Sequence, residues 1–164
     1  IDTHIQPVNC IDEFSTWRRE TLYTHEVNDV LFANEQNLKK VYDTGIKFKA
    51  QKRLHRKECI EIFTVEADVD IGEREATIAF ALSKMTVPDE NGEMFKYDDI
   101  QFVEFLEMVG RAADLKFKDS EQEELPLHKK IEFVIDDLLV LVPGAKRVEV
   151  SFDPEEETVS DTDY

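Results

Sequence analysis

Glycine and proline are scarce in this chain, five of each among 164 residues. So few breakers leave little room for a glycine-rich phosphate-binding loop and favour helices. Cysteine occurs twice, at Cys10 and Cys59, far apart, with no CxxC and no histidine at metal-ligand spacing. That pattern suits a reducing compartment, with a single Cys10–Cys59 bridge as the alternative. Cations are few: 20 Lys and Arg stand against 37 Asp and Glu, a formal net charge of −17. Nucleic acid is a poor partner for such a chain, because phosphate binding needs a Lys/Arg surplus. A basic partner surface suits it, and so does high solubility alone. No apolar run approaches the length of a membrane span, and no secretory leader is visible. The chain opens on Ile1 rather than Met, as expected of a piece of a longer or processed protein.

Catalytic signatures are missing too. His4, His25, His55 and His128 stand in no HExxH and beside no serine or cysteine nucleophile pattern. Adjacent acids such as Asp136 and Asp137 carry no weight in a chain this acidic. Cys59 falls on an apolar helix face and reads as core. The expectation is a protein that is not an enzyme, with no catalytic residue, cofactor or metal ligand set to assign.

What the chain does have is amphipathic helix, rich in phenylalanine, with eleven Phe residues. Residues 1–33 read as an N-terminal arm, with Ile11, Phe14, Trp17 and Leu22 on one face of a short helix begun near Asp12. Residues 34–143 read as a helical domain. Its first helix runs from Asn34 to about Thr44 and stops at Gly45. Six cations follow: Lys47, Lys49, Lys52, Arg53, Arg56 and Lys57. They read either as a solvated loop and helix start or as a patch for an acidic surface such as a tubulin tail or phospholipid. The next helix covers 56–67, with Cys59, Ile60, Phe63 and Ala67 at helical spacing.

Asp70 reads as the N-cap of a helix over 73–85, which Pro88 closes. Asp99 reads as the N-cap of a helix reaching about Leu115, with Phe102, Phe105, Leu106, Val109 and Ala113 as its stripe. An acidic linker leads to a last helix over 127–142, apolar around most of its circumference and therefore expected at the centre; a strand over 138–142 is the alternative. Residues 146–152 alternate like a strand. Residues 144–164 read as an acidic tail, unstructured by composition toward its end. From Asp119 to Tyr164 fourteen acids face four Lys and Arg, a net of −10. Thr158, Ser160 and Thr162 sit among those acids, where phosphorylation would deepen the charge and release a basic partner.

One pattern recurs. A hydrophobe stands four residues before a glutamate that is followed by an apolar residue, first as Leu54…Glu58-Cys59 and again as Ile100…Glu104-Phe105. A twelve-residue calcium loop ends in such a glutamate and draws its other oxygens from positions 1, 3, 5, 7 and 9, with Gly at 6. Counted back from Glu104, positions 3, 5 and 6 are Phe95, Tyr97 and Asp98. Counted back from Glu58, positions 1, 3 and 5 are Lys47, Lys49 and Gln51, and two ammonium groups repel a divalent ion. Neither loop suits calcium.

From Asn34 to Leu115 the chain resembles the EF-hand superfamily. Ala79-Phe80 in "EREATIAFALSKM" is similar to the entering helix of a calmodulin-type hand. The two loop-end glutamates lie 46 residues apart, which matches paired hands once an insertion in "TVPDENGEMFKYDD" is set aside. The resemblance implies an all-α fold: paired EF-hand-like helix–loop–helix units with an additional C-terminal helix and extended termini. It implies a non-catalytic structural domain that no longer binds calcium and docks in a larger cytoskeletal assembly, in the cytoplasm or a cilium. The same likeness extends to EF-hand-like segments of large cytoskeletal and axonemal proteins. It further implies a groove for an amphipathic partner helix or filament surface, formed by Phe80, Leu82, Met85, Phe102, Phe105, Met108 and Val109. That groove would be open, or filled permanently by the helix over 127–142. The alternative is a calcium-responsive sensor or adaptor with non-standard ligands at Asp89, Asn91 and Glu93.

Overall fold

A π-helical turn, Arg18–Leu22, leads into helix α1 (His25–Ala33). Helix α1 starts where the Thr24 hydroxyl accepts a hydrogen bond from Val27 N–H at 3.3 Å, the N-cap role that short hydroxyl side chains favour. Asn34 separates it from α2 (Glu35–Thr44). Strand β1 (Leu54–His55) runs directly into α3 (Arg56–Glu61), which continues as a π-helical stretch, Ile62–Glu66. Helix α4 (Glu73–Ser83), strand β2 (Asp99–Ile100) and helix α5 (Phe102–Lys116) follow. Helix α6 (Leu127–Leu138) ends in a 3-10 turn, Leu139–Leu141. The computed structural model describes residues 16–46, 53–84 and 99–152. Apart from the antiparallel pair β1–β2, the fold over these residues is all-α.

Helix α5 is the axis of the core. Every residue from Glu107 to Ala113 is buried, and both α4 and α6 pack along it. Gly110 makes room for the opening π-helical turn as well: a Cβ there would stand 2.6 Å from Leu22 Cδ1. Helix α6 buries a single stripe, Leu127, Ile131, Val134, Ile135 and Leu138, while Phe133 stays 49 % exposed. The central place expected for α6 therefore belongs to α5, because α6 keeps Glu132, Phe133 and Asp136 on an outer face.

Several sequence expectations need correction. No packing gap falls at residue 33, since Leu22, Val27, Val30 and Leu31 share one core with the later helices and α1 packs on α6. The short helix expected near Trp17 is the π-helical turn, and α1 itself was not foreseen; Ile11, Phe14 and Cys10 lie outside the described residues. Asp99 caps nothing: it pairs in β2, and Gln101 is the N-cap of α5. Asp70 sits in left-handed backbone at φ 63°, with Gly72 as the N-cap of α4. Asp is among the residues that tolerate that region.

Residues 145–152 form no strand but are tied down. The Asn34 side chain donates to Val148 O at 3.1 Å and accepts from Val148 N–H at 2.7 Å, and the Phe152 ring lies 5.0 Å from that of His128. The tail expected from 144 is thus anchored as far as Phe152; Thr158, Ser160 and Thr162 lie outside the described residues.

Candidate functional site

Leu54 and Ile100, each four residues ahead of a glutamate, face each other in the β1–β2 register, and both are fully buried. A tyrosine from α2 fastens the pair. Tyr42 Oη donates to Ile100 O at 2.6 Å and accepts from Leu54 N–H at 3.0 Å. One phenol thereby satisfies a donor on one strand and an acceptor on the other, in an interior where unpaired backbone groups are costly. Burial pushes the Tyr42 hydroxyl above the usual tyrosine range, with the hydrogen bond from Leu54 opposing the shift. Gly45, just past α2, leaves space for Leu54: an added Cβ would collide with its side chain. The glycine is needed for room, since its backbone is right-handed.

Aromatic rings pack beneath. Tyr42 meets Phe102 and Phe105 edge-on at 5.6 and 5.5 Å, and Phe63 lies 5.7 Å from Phe105. Lys39 Nζ stands 4.7 Å from the Tyr42 ring centroid. Cys59 is a buried free thiol against Met108 Sδ at 3.3 Å; burial pushes its pKa far up, so it is unreactive core.

The second loop-end glutamate is already engaged. Glu104, 4 % exposed, accepts Gln101 N–H at 2.8 Å and so caps its own helix. Its carboxylate also lies 3.7 Å from Lys84 Nζ, and that ammonium donates to Asp99 O. Burial holds the Lys84 ammonium below the usual lysine range, with the charges of Glu104 and Asp99 opposing the shift. Asp99 further pairs with His55 across the strands. An ammonium from the end of α4 thus contacts both a carboxylate and a carbonyl, the oxygen types that hard cations take.

Among the described residues no group of three or more His, Cys, Asp or Glu is placed to hold a metal ion, and no helix is long and apolar enough to cross a membrane. Of the groove residues expected from the sequence, Phe80, Phe105, Met108 and Val109 are buried in the core, so they line no open surface. Leu82 and Phe102 are half-buried, and Met85 lies outside the described residues, as do Asp89, Asn91 and Glu93. In the cationic segment Lys47, Lys49 and Lys52 also lie outside. Arg56 and Lys57 are exposed on the first turn of α3, and Arg53 is half-buried just before β1. Sequence reasoning missed Tyr42 and Lys84. Tyr42 was within reach, since Leu38, Val41 and Tyr42 share one face of α2; Lys84 carried no signal. Comparison with protein-family models, with curated proteins and with solved structures gave no match.

Proposed function

We propose that this chain is a non-catalytic interaction module built on an EF-hand-like pair of helix–loop–helix units, one that holds its loop ends together without calcium. The observation that carries the reading is the Leu54–Ile100 pairing, which joins the two loop ends at the positions counted back from Glu58 and Glu104. Helices α2 and α3 flank the first loop, and α4 and α5 flank the second. Lys84 supports the calcium-free part. Its ammonium neutralises Glu104 from within the chain, where a calcium loop would use an ion. The setting in a cytoskeletal assembly and the lack of catalysis rest on the sequence: the resemblance, the acidic charge and the missing nucleophile and phosphate-loop patterns.

The test is titration of the protein with calcium, followed by calorimetry and thermal melting. No saturable heat and no rise in Tm in millimolar calcium are expected, because a ligand binding only the folded state must raise Tm. A saturable rise would sink the ion-free reading.

A further inference from the structure

Between the opening π-helical turn, α1, the start of α2 and the first turns of α5 lies a groove of about 440 Å³. Leu22 and Leu31 form its buried floor, and its rim carries Tyr23, Phe32 and Val103, which are 56, 78 and 52 % exposed. Single exposed hydrophobes are ordinary, but three gathered around one groove mark an interaction surface. Among the described residues no cationic side chain lines it, although Arg18 and Arg111 bond the Glu107 carboxylate from behind. Glu35 stands exposed at its edge, and Glu107 lies in its wall. The groove shares no residue with the one the sequence suggested.

Resting on the interaction-module reading above, we propose that this groove docks an amphipathic helix of a partner protein, one with apolar anchors on one face and Lys or Arg beside them. The walls decide the shape of the occupant. They are helical, with backbone groups spent inside the helices, so they offer no sheet edge to an extended strand, and a helix laid in a groove is the mode that remains. Nine residues of α1 set a wall roughly 13 Å long, enough for two or three turns of partner helix. Charge decides the flanks: Glu107 is spent on Arg18 and Arg111, but exposed Glu35 at the edge, on a chain of net charge −17, favours cationic residues around the anchors.

The probe is a fluorescein-labelled Leu/Lys helix of about 18 residues with Leu on one face, compared by anisotropy with its Leu/Glu counterpart. Saturable binding of the Leu/Lys helix is expected, weakened at least about tenfold by Phe32→Ser and by Val103→Ser, which leave the net charge alone. Val140→Ser, at a residue outside the groove's lining that is 63 % exposed, should leave binding unchanged. Circular dichroism melts confirm that the variants fold. Failure of the Leu/Lys helix to bind overturns the proposal. So does equal binding of the Leu/Glu helix, or full binding by both groove variants. Sedimentation showing a wild-type dimer that Phe32→Ser dissociates would instead give the groove to a second copy and overturn it too. The calcium titration is separate: a saturable calcium response with the groove result intact sinks only the ion-free frame.

Discussion

Glu107 shows what a charge costs in this interior. It is 7 % exposed and is held by Arg18 Nη2 at 2.8 Å and Arg111 Nε at 3.0 Å. Arg111 also lies 4.4 Å from the Trp17 ring centroid, so the only tryptophan reports on the network. Glu107→Ala leaves a buried guanidinium without its carboxylate, and a loss of about 3 kcal/mol is expected in chemical denaturation, followed by Trp17 fluorescence. A loss below about 1 kcal/mol would mean that water reaches Arg111 readily. Asp137 is the opposite case. Burial raises its carboxyl above the usual range; Lys116 opposes this, while Asp68, Asp136 and Asp70 add to it. A raised carboxyl favours the fold below its unfolded pKa, and that contribution is lost as pH rises through the folded value. Asp137→Asn should therefore raise Tm at neutral pH by roughly 1–2 °C, the scale of a small surface effect in a chain of this size. The advantage should shrink as pH falls through the carboxylate range. A gain independent of pH would assign the effect to something other than charge.

At the scale of elements, the two-residue strands are held from the side by Tyr42, which bonds both of them. Tyr42→Phe keeps the ring contacts and removes the hydroxyl, leaving buried Leu54 N–H and Ile100 C=O without that partner. A loss of about 2 kcal/mol at neutral pH is expected. The raised hydroxyl makes the sign of the pH dependence definite: the wild type keeps its advantage below the usual tyrosine range and loses it as pH rises through the folded value. Melting curves of the two proteins should converge in alkali, and parallel curves would separate the hydroxyl from the shift.

The two residues that pair, Leu54 and Ile100, stand out in the sequence as the hydrophobes four residues ahead of Glu58 and Glu104, but nothing there marks them as strand. The burial of Tyr42 was within reach from the face it shares with Leu38 and Val41, but the two bonds of its hydroxyl were not, because a side chain's long-range partners leave no periodic mark. Helix α1 had its signal, Thr24 before Val27, Val30 and Leu31, but so short a stripe counts for little until α6 covers it. The caps read at Asp70 and Asp99 failed for different reasons: Asp70 sits in left-handed backbone two residues ahead of the actual cap, Gly72, and Asp99 is drawn into the strand pair. Alternation over 146–152 has no neighbouring strand among the described residues to pair with: Val150 and Phe152 rest against the core, while Val148 is 46 % exposed.

For the whole molecule, the formal charge of −17 sets the balance between repulsion and pairing. Ion pairs such as Lys39–Asp43 are exposed and contribute little, whereas repulsion among the surplus acids acts over the whole surface. Salt shortens the reach of both, from about 30 Å at 0.01 M to about 8 Å at 0.15 M. Because the surplus has one sign, screening should stabilise the fold, and Tm should rise by several degrees over that range. The buried Lys84–Glu104 and Glu107 contacts are screened least and should not reverse the trend. The same salt should weaken docking of a cationic helix at the Phe32 groove, since that attraction draws on the charge being screened. Stability and binding should move in opposite directions along one salt titration. A Tm that falls with salt would show that pairing outweighs repulsion in this chain, and binding that strengthens alongside Tm would make the groove apolar in its selectivity, with its acidic edge irrelevant to the partner.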